Sequence, residues 1–135
     1  MKKVVFSAIV LLSVSGCAVR LPEDELRLTR SRLEHYLQHE AMSQSEMNIV
    51  SEYIFQLVNM EKELLEYRIV NQLNYNKIEK AFLTDCETWE KAARKEAKTP
   101  SRYEGGSFAP TAHNLQMIYF VEKRIRELKT KWWQK

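Results

Sequence analysis

The chain reads as an all-α protein, a bundle of three or four long helices with one Gly-Gly loop before the last helix. Three observations predict this. After residue 17 the only glycines are Gly105 and Gly106 and the only prolines Pro22, Pro100 and Pro110, so helix breakers are confined to a few places. Apolar residues recur at steps of three and four, the period that lines one face of a helix. No segment alternates apolar and polar residues long enough to argue for a sheet.

The first stretch stands apart from the rest. Lys2 and Lys3 precede an apolar run from Val4 to Leu12, broken only by Ser7 and about half the roughly 20 residues a spanning helix needs. Val14-Ser15-Gly16-Cys17 then sets small residues before a cysteine, the lipobox arrangement, in which the thiol receives a diacylglyceryl group. The expected division is a lipoprotein signal peptide over 1–16, a lipidated tether over 17–21 beginning at acylated Cys17, and one helical domain over 22–135. An ordinary secretory signal followed by a chance cysteine is the alternative. Acyl chains of this kind hold a protein to a bilayer effectively permanently. Ala18, rather than an aspartate, follows the cysteine, so the expected location is the periplasmic face of the outer membrane.

Without Lys2 and Lys3 the basic residues exceed the 18 acidic ones by one. That balance excludes a polyanion binder. The basic residues are interspersed with acidic ones and no recognised nucleic-acid motif appears, so no nucleic-acid partner is expected. The length supports one domain burying somewhat over 60% of its unfolded surface. With Cys17 acylated, Cys86 is the remaining cysteine and no disulfide can form within the chain, although the compartment permits one.

The helices follow in order. Pro22 with Glu23, Asp24 and Glu25 is a proline-and-acid start for a first helix to about His39. Ser43 with Glu46 has capping-box spacing and opens a second helix, whose apolar positions include Met47, Val50, Ile54, Leu57, Val58, Leu64 and Leu65. It fades between Asn71 and Asn76. A third helix carries Ile78, Phe82, Cys86, Trp89 and Ala93 on one face, so Cys86 is expected to be a buried, inert thiol, the alternative being a reactive or intermolecular one, and Pro100 stops the helix. The last begins near Pro110 and repeats Leu115, Ile118, Val121, Ile125, Leu128 and Trp132.

Between the last two helices, Thr99 to Pro110 concentrates turn formers and polar or aromatic side chains, and its adjacent glycines allow positive φ. Tyr103-Glu104-Gly105-Gly106-Ser107-Phe108-Ala109-Pro110, with Trp89 upstream and Arg124 and Leu128 downstream, resembles the C-terminal half of the lysozyme-inhibitor LprI N-terminal domain family. That family has a Gln-x-x-Trp helix, a Gly-Gly-Ser-x-Ala-Pro loop, then a helix with an arginine and a leucine. Gln44-Ser45-Glu46-Met47-Asn48 resembles the Gln-x-Glu-Met-Asn element that opens the same domain. The two matches span roughly residues 40 to 130. Where the family has cysteines, this chain has Val50, Ala97 and Gln116, and Cys86 stands where the family has the Gln before Trp. Joint loss is what disulfide partners would show.

Other constellations are weaker. His35 and His39 have the i, i+4 spacing of a metal pair, but Glu40 and the distant His113 only loosely suggest a third ligand and there is no His-Glu-x-x-His pattern. A solvated helix face is the reading adopted, with no metal and no cofactor. Ser107 lacks a nucleophile elbow and an acid-histidine pair, so no enzyme is expected. Lys129-Thr130-Lys131-Trp132-Trp133 would suit a bilayer interface, although Trp132 continues the core stripe and leaves only Trp133 spare.

The resemblance implies a lipid-anchored periplasmic binding protein that inhibits lysozyme or another cell-wall hydrolase. Tyr103, Glu104, Gly105, Gly106 and Ser107 are its candidate binding residues, and the membrane is met through the lipid anchor. The alternative is a non-enzymatic accessory or structural lipoprotein of an envelope assembly, in which the same loop merely connects helices.

Overall fold

The computed structural model describes residues 22–73, 77–97 and 105–133. They form four helices, α1 (Pro22–His39), α2 (Gln44–Leu73), α3 (Lys77–Ala97) and α4 (Ala109–Lys131), and no strand among the described residues. The all-α bundle expected from the breaker distribution is the observed architecture, in its four-helix form. Cys17, Tyr103 and Glu104 lie outside the described residues.

Local chemistry sets the boundaries. At the start of α2 the Ser43 backbone N–H and hydroxyl both donate to a Glu46 carboxylate oxygen, at 2.8 and 2.7 Å, and the Glu46 N–H donates to the Ser43 hydroxyl at 3.3 Å. The capping box is therefore closed in both directions. These Ser43 bonds hold the Glu46 carboxyl below the ordinary carboxylate range. Pro110 sits in the first turn of α4, where an amide proton has no helical partner. At the other end Trp132 and Trp133 N–H groups both donate to Leu128 C=O.

Successive helices alternate in direction, so α2 and α4 run parallel and α1 and α3 antiparallel to them. The α2/α4 interface is the most extensive, with α1 laid mainly on α2 and α3 against both. The core is one cluster in which Ile54, Val58, Ile69, Phe82, Val121 and Leu128 are fully buried.

Two of the expected core positions, Ile78 and Leu115, are exposed, and Met47, Leu57 and Leu64 are only half-buried. Ile78 is 51% exposed: Phe82 already meets Trp132, edge to face at a 5.0 Å ring separation, so a residue one turn before Phe82 lies beyond the end of α4. Leu115 is 42% exposed, because its place in the repeat rotates away from the centre of the stripe. Thr111, which is buried, and Asn114, which is half-buried, take the inward positions of the first turns of α4.

The third helix is held by charge as well as by packing. Arg124, 4% exposed, donates to Asp85 Oδ2 at 2.7 Å and to the Cys86 sulfur at 3.6 Å. Trp89 is half-buried rather than buried, with the Arg124 guanidinium 5.7 Å and the Lys62 ammonium 5.2 Å from its ring centre. Cation–π attraction thus ties α3 to α2 and α4 at one indole. Cys86 is a free, half-buried thiol. Burial, then the nearby Glu66 charge, pushes it up to about 11 against the pull of Arg124.

Two outcomes follow. Phe82→Ala should cost about 3 to 5 kcal/mol in urea unfolding, whereas Ile78→Ala should stay within about 0.5 kcal/mol. A folded thiol that keeps its proton to about 11, against about 9 when unfolded, contributes fully below pH 9 and loses that contribution as pH rises towards 11. Wild type should therefore lose more stability than Cys86→Ser between about pH 8 and 10.5, and equal losses would show an ordinary thiol.

Candidate functional site

The two sequence elements singled out above, Gln44 to Asn48 and the Gly-Gly-Ser turn, meet at one end of the bundle. Gly105, Gly106 and Ser107 are exposed, and Gly105 adopts the left-handed conformation, φ +76°, that makes the turn possible. A Cβ at Gly105 would meet nothing within 4 Å, so glycine is required there by backbone geometry and not by crowding. The Ala109 N–H donates to Gly106 C=O at 3.0 Å and closes the turn onto α4.

Behind the turn lies a polar latch between α2 and α4. The Thr111 hydroxyl donates to Asn48 Oδ1 at 2.5 Å, while Gln44 Nε2 donates to the same oxygen at 3.1 Å and to Thr111 Oγ1 at 3.3 Å. Asn48 Nδ2 then donates to the Ser107 carbonyl at 3.3 Å. One turn further in, Asn114 Nδ2 donates to the fully buried Ser51 hydroxyl at 3.1 Å, and that hydroxyl donates to Asn48 C=O at 3.0 Å. Asn48 is thus the centre of the network. It fastens Ser107 through the main chain and leaves that side chain at the surface.

Sequence reasoning found both ends of this arrangement but not its middle. Gln44, Asn48 and Ser107 are motif members, whereas Thr111, Asn114 and Ser51 carry no distinguishing spacing. The available signal was polarity at inward helical positions. The His113 ring nitrogen Nδ1 also lies 3.3 Å from Ala97 C=O, joining the end of α3 to α4 beside the turn.

His35 and His39 share an exposed face of α1 with ring centres 4.3 Å apart. No group of three His, Cys, Asp or Glu side chains among the described residues is placed to hold a metal ion. No described helix is long and apolar enough to cross a membrane. A further surface feature was not read from the sequence. On α2, Ile49, Tyr53, Met60 and Tyr67 recur at steps of 4, 7 and 7 along one line, and Ile49, Tyr53 and Tyr67 are each more than half exposed.

Against known proteins, the chain matches no family model, no curated protein and no solved structure.

Asn48→Ala should leave the Thr111 and Gln44 donors without their shared acceptor and cost about 1 to 3 kcal/mol. It should also speed amide exchange at Ala109, whereas a change confined to global stability would mean that the turn holds itself. Gly105→Ala, with open space around it, should cost roughly 1 to 2 kcal/mol from backbone strain alone.

Proposed function

We propose that this chain is a lipid-anchored, non-enzymatic binding protein of the cell envelope, at the periplasmic face of the outer membrane. Its turn from Tyr103 to Pro110 holds lysozyme or a related cell-wall hydrolase. The observation that carries this reading is the exposed Gly105-Gly106-Ser107 turn fastened from behind by Asn48. A surface loop immobilised by its own scaffold loses little freedom on binding, which favours affinity.

The resemblance to the LprI family supports the same reading. Its first motif supplies Gln44 and Asn48 of the latch, and its second the Ser107 carbonyl to which Asn48 donates. Ser107 supplies a hydrogen-bonding side chain, and Tyr103 supplies contact area, for a carboxylate-lined sugar cleft. With only one basic residue in excess after the signal, association relies on short-range contact, and its on-rate should depend little on salt.

A second reading has its own observation. The apolar line of Ile49, Tyr53 and Tyr67 on α2 suits a partner helix, as an accessory protein of an envelope assembly would need.

Mutations separate the two. Tyr103→Ala and Ser107→Ala should leave helical signal and melting nearly unchanged and weaken lysozyme inhibition, or capture of the hydrolase, about tenfold, the 1.4 kcal/mol of a modest hot spot. If wild-type protein at micromolar concentration leaves lysozyme untouched and Tyr53→Glu abolishes its capture of envelope proteins while the anchor is retained, the accessory reading replaces the inhibitor one. Cys17→Ala should move the protein out of the detergent phase, and unchanged partitioning removes the anchor.

A further inference from the structure

The alternating helix directions bring the start of α1, the end of α2, the start of α3 and the end of α4 to the end of the bundle opposite the Gly-Gly-Ser turn. A cleft of about 170 Å³ opens there between α1, α2 and α4, with Leu65 at its base and Trp133 as one wall. Glu23 and Glu61 are recessed in it, their side chains 13% and 10% exposed. Arg27, Arg68 and Lys129 stand at its rim, 55%, 42% and 44% exposed. Arg68 pairs with Glu23, and Glu61 receives Arg27 at 3.5 Å and Lys129 at 3.7 Å. Among the residues lining the cleft, three cations therefore share two carboxylates, a formal excess of one positive charge.

Position supplies the ligand. Cys17 lies five residues before Pro22, and such a stretch reaches at most about 18 Å even when fully extended. The first turn of α1, and the cleft beside it, are thereby held within that reach of the membrane surface. Trp133 is not spare, since it packs against the core and walls the cleft. An indole beside a lysine and two arginines is the combination that bilayer interfaces select, the ring at headgroup level and the cations on phosphate.

We propose that this cleft seats the phosphate headgroup of a phospholipid of the membrane that carries the chain, with Arg27, Arg68 and Lys129 on the phosphate and Trp133 at the interface. The proposal rests on the lipid-anchor reading. Its consequence is orientation: α4 places the Gly-Gly-Ser turn about 30 Å away, on the side facing off the membrane. The anchor tethers the domain and the headgroup contact stands it upright.

The test uses the cell-made full chain, reconstituted into vesicles of phosphatidylethanolamine and phosphatidylglycerol whose acyl chains carry bromine next to the headgroup. Intact mass reports acylation and so judges the anchor separately. In acylated protein the bromolipids should quench a share of the indole emission that Trp133→Phe removes. Arg27→Gln with Lys129→Gln should cut that quenching several-fold at unchanged acylation and helical signal, while Lys129→Arg should match wild type. Acylated protein whose quenching is indifferent to Trp133→Phe, or to the double neutralisation, would overturn the headgroup site and leave the anchor standing. Inorganic phosphate that perturbs Trp133 in detergent-solubilised protein as strongly as the lipid does would also overturn it, in favour of a site for the free ion.

Discussion

The parallel pair of α2 and α4 is the constraint on which the rest depends. Ile54, Val58 and Ile69 of one helix and Val121 and Leu128 of the other are fully buried, and every functional element described is placed by this seam. Burial of apolar surface is worth roughly 25 cal/mol per Å², without direction, so the seam supplies cohesion but does not select a register. Register comes from the polar contacts at its two ends, the Asn48 latch at one and the Glu61 pairs with Arg27 and Lys129 at the other. Sliding α4 by one turn would strand both.

Charged residues inside the bundle follow the same logic. Arg124 and Lys62 are buried, and a buried cation is tolerable only when it is paired. Arg124 meets Asp85 and the Cys86 sulfur, Lys62 meets Glu66 at 3.3 Å, and both lie against Trp89. The result fastens α3, whose packing on the α2/α4 pair is otherwise the lighter of the two flanks. It also explains how a helix ending just before the candidate loop is kept in place with Cys86 a free thiol.

Function in the proposed reading divides between the two ends. The turn end offers exposed backbone and small polar groups, fixed by hydrogen bonds from α2. The opposite end offers cations, an indole and the tether. Where the LprI resemblance implies disulfide cysteines, Val50 and Ala97 are buried, so apolar packing occupies those places. A rigid turn then depends on the latch, which shifts the weight of the binding proposal onto Asn48.

Much of the fold was legible because it follows from neighbours in sequence. Pro22, the Ser43 and Glu46 box, Pro110 and the scarcity of glycine set the helices and their boundaries through local backbone chemistry. The stripe from Ile118 to Leu128 set one buried face. What periodicity could not convey is where a partner helix ends: Ile78 keeps the register of Phe82 yet faces solvent, because α4 stops short of it. Nor does it distinguish a polar residue facing water from one facing inward, so it could not place Thr111, Ser51 and Arg124 inside. Which glycine takes positive φ, which carbonyl Asn48 reaches, and that Trp133 shares a cleft with Arg68 were decided by tertiary structure. Those contacts join residues tens of positions apart, and their energies exist only once the α2/α4 seam has brought them together.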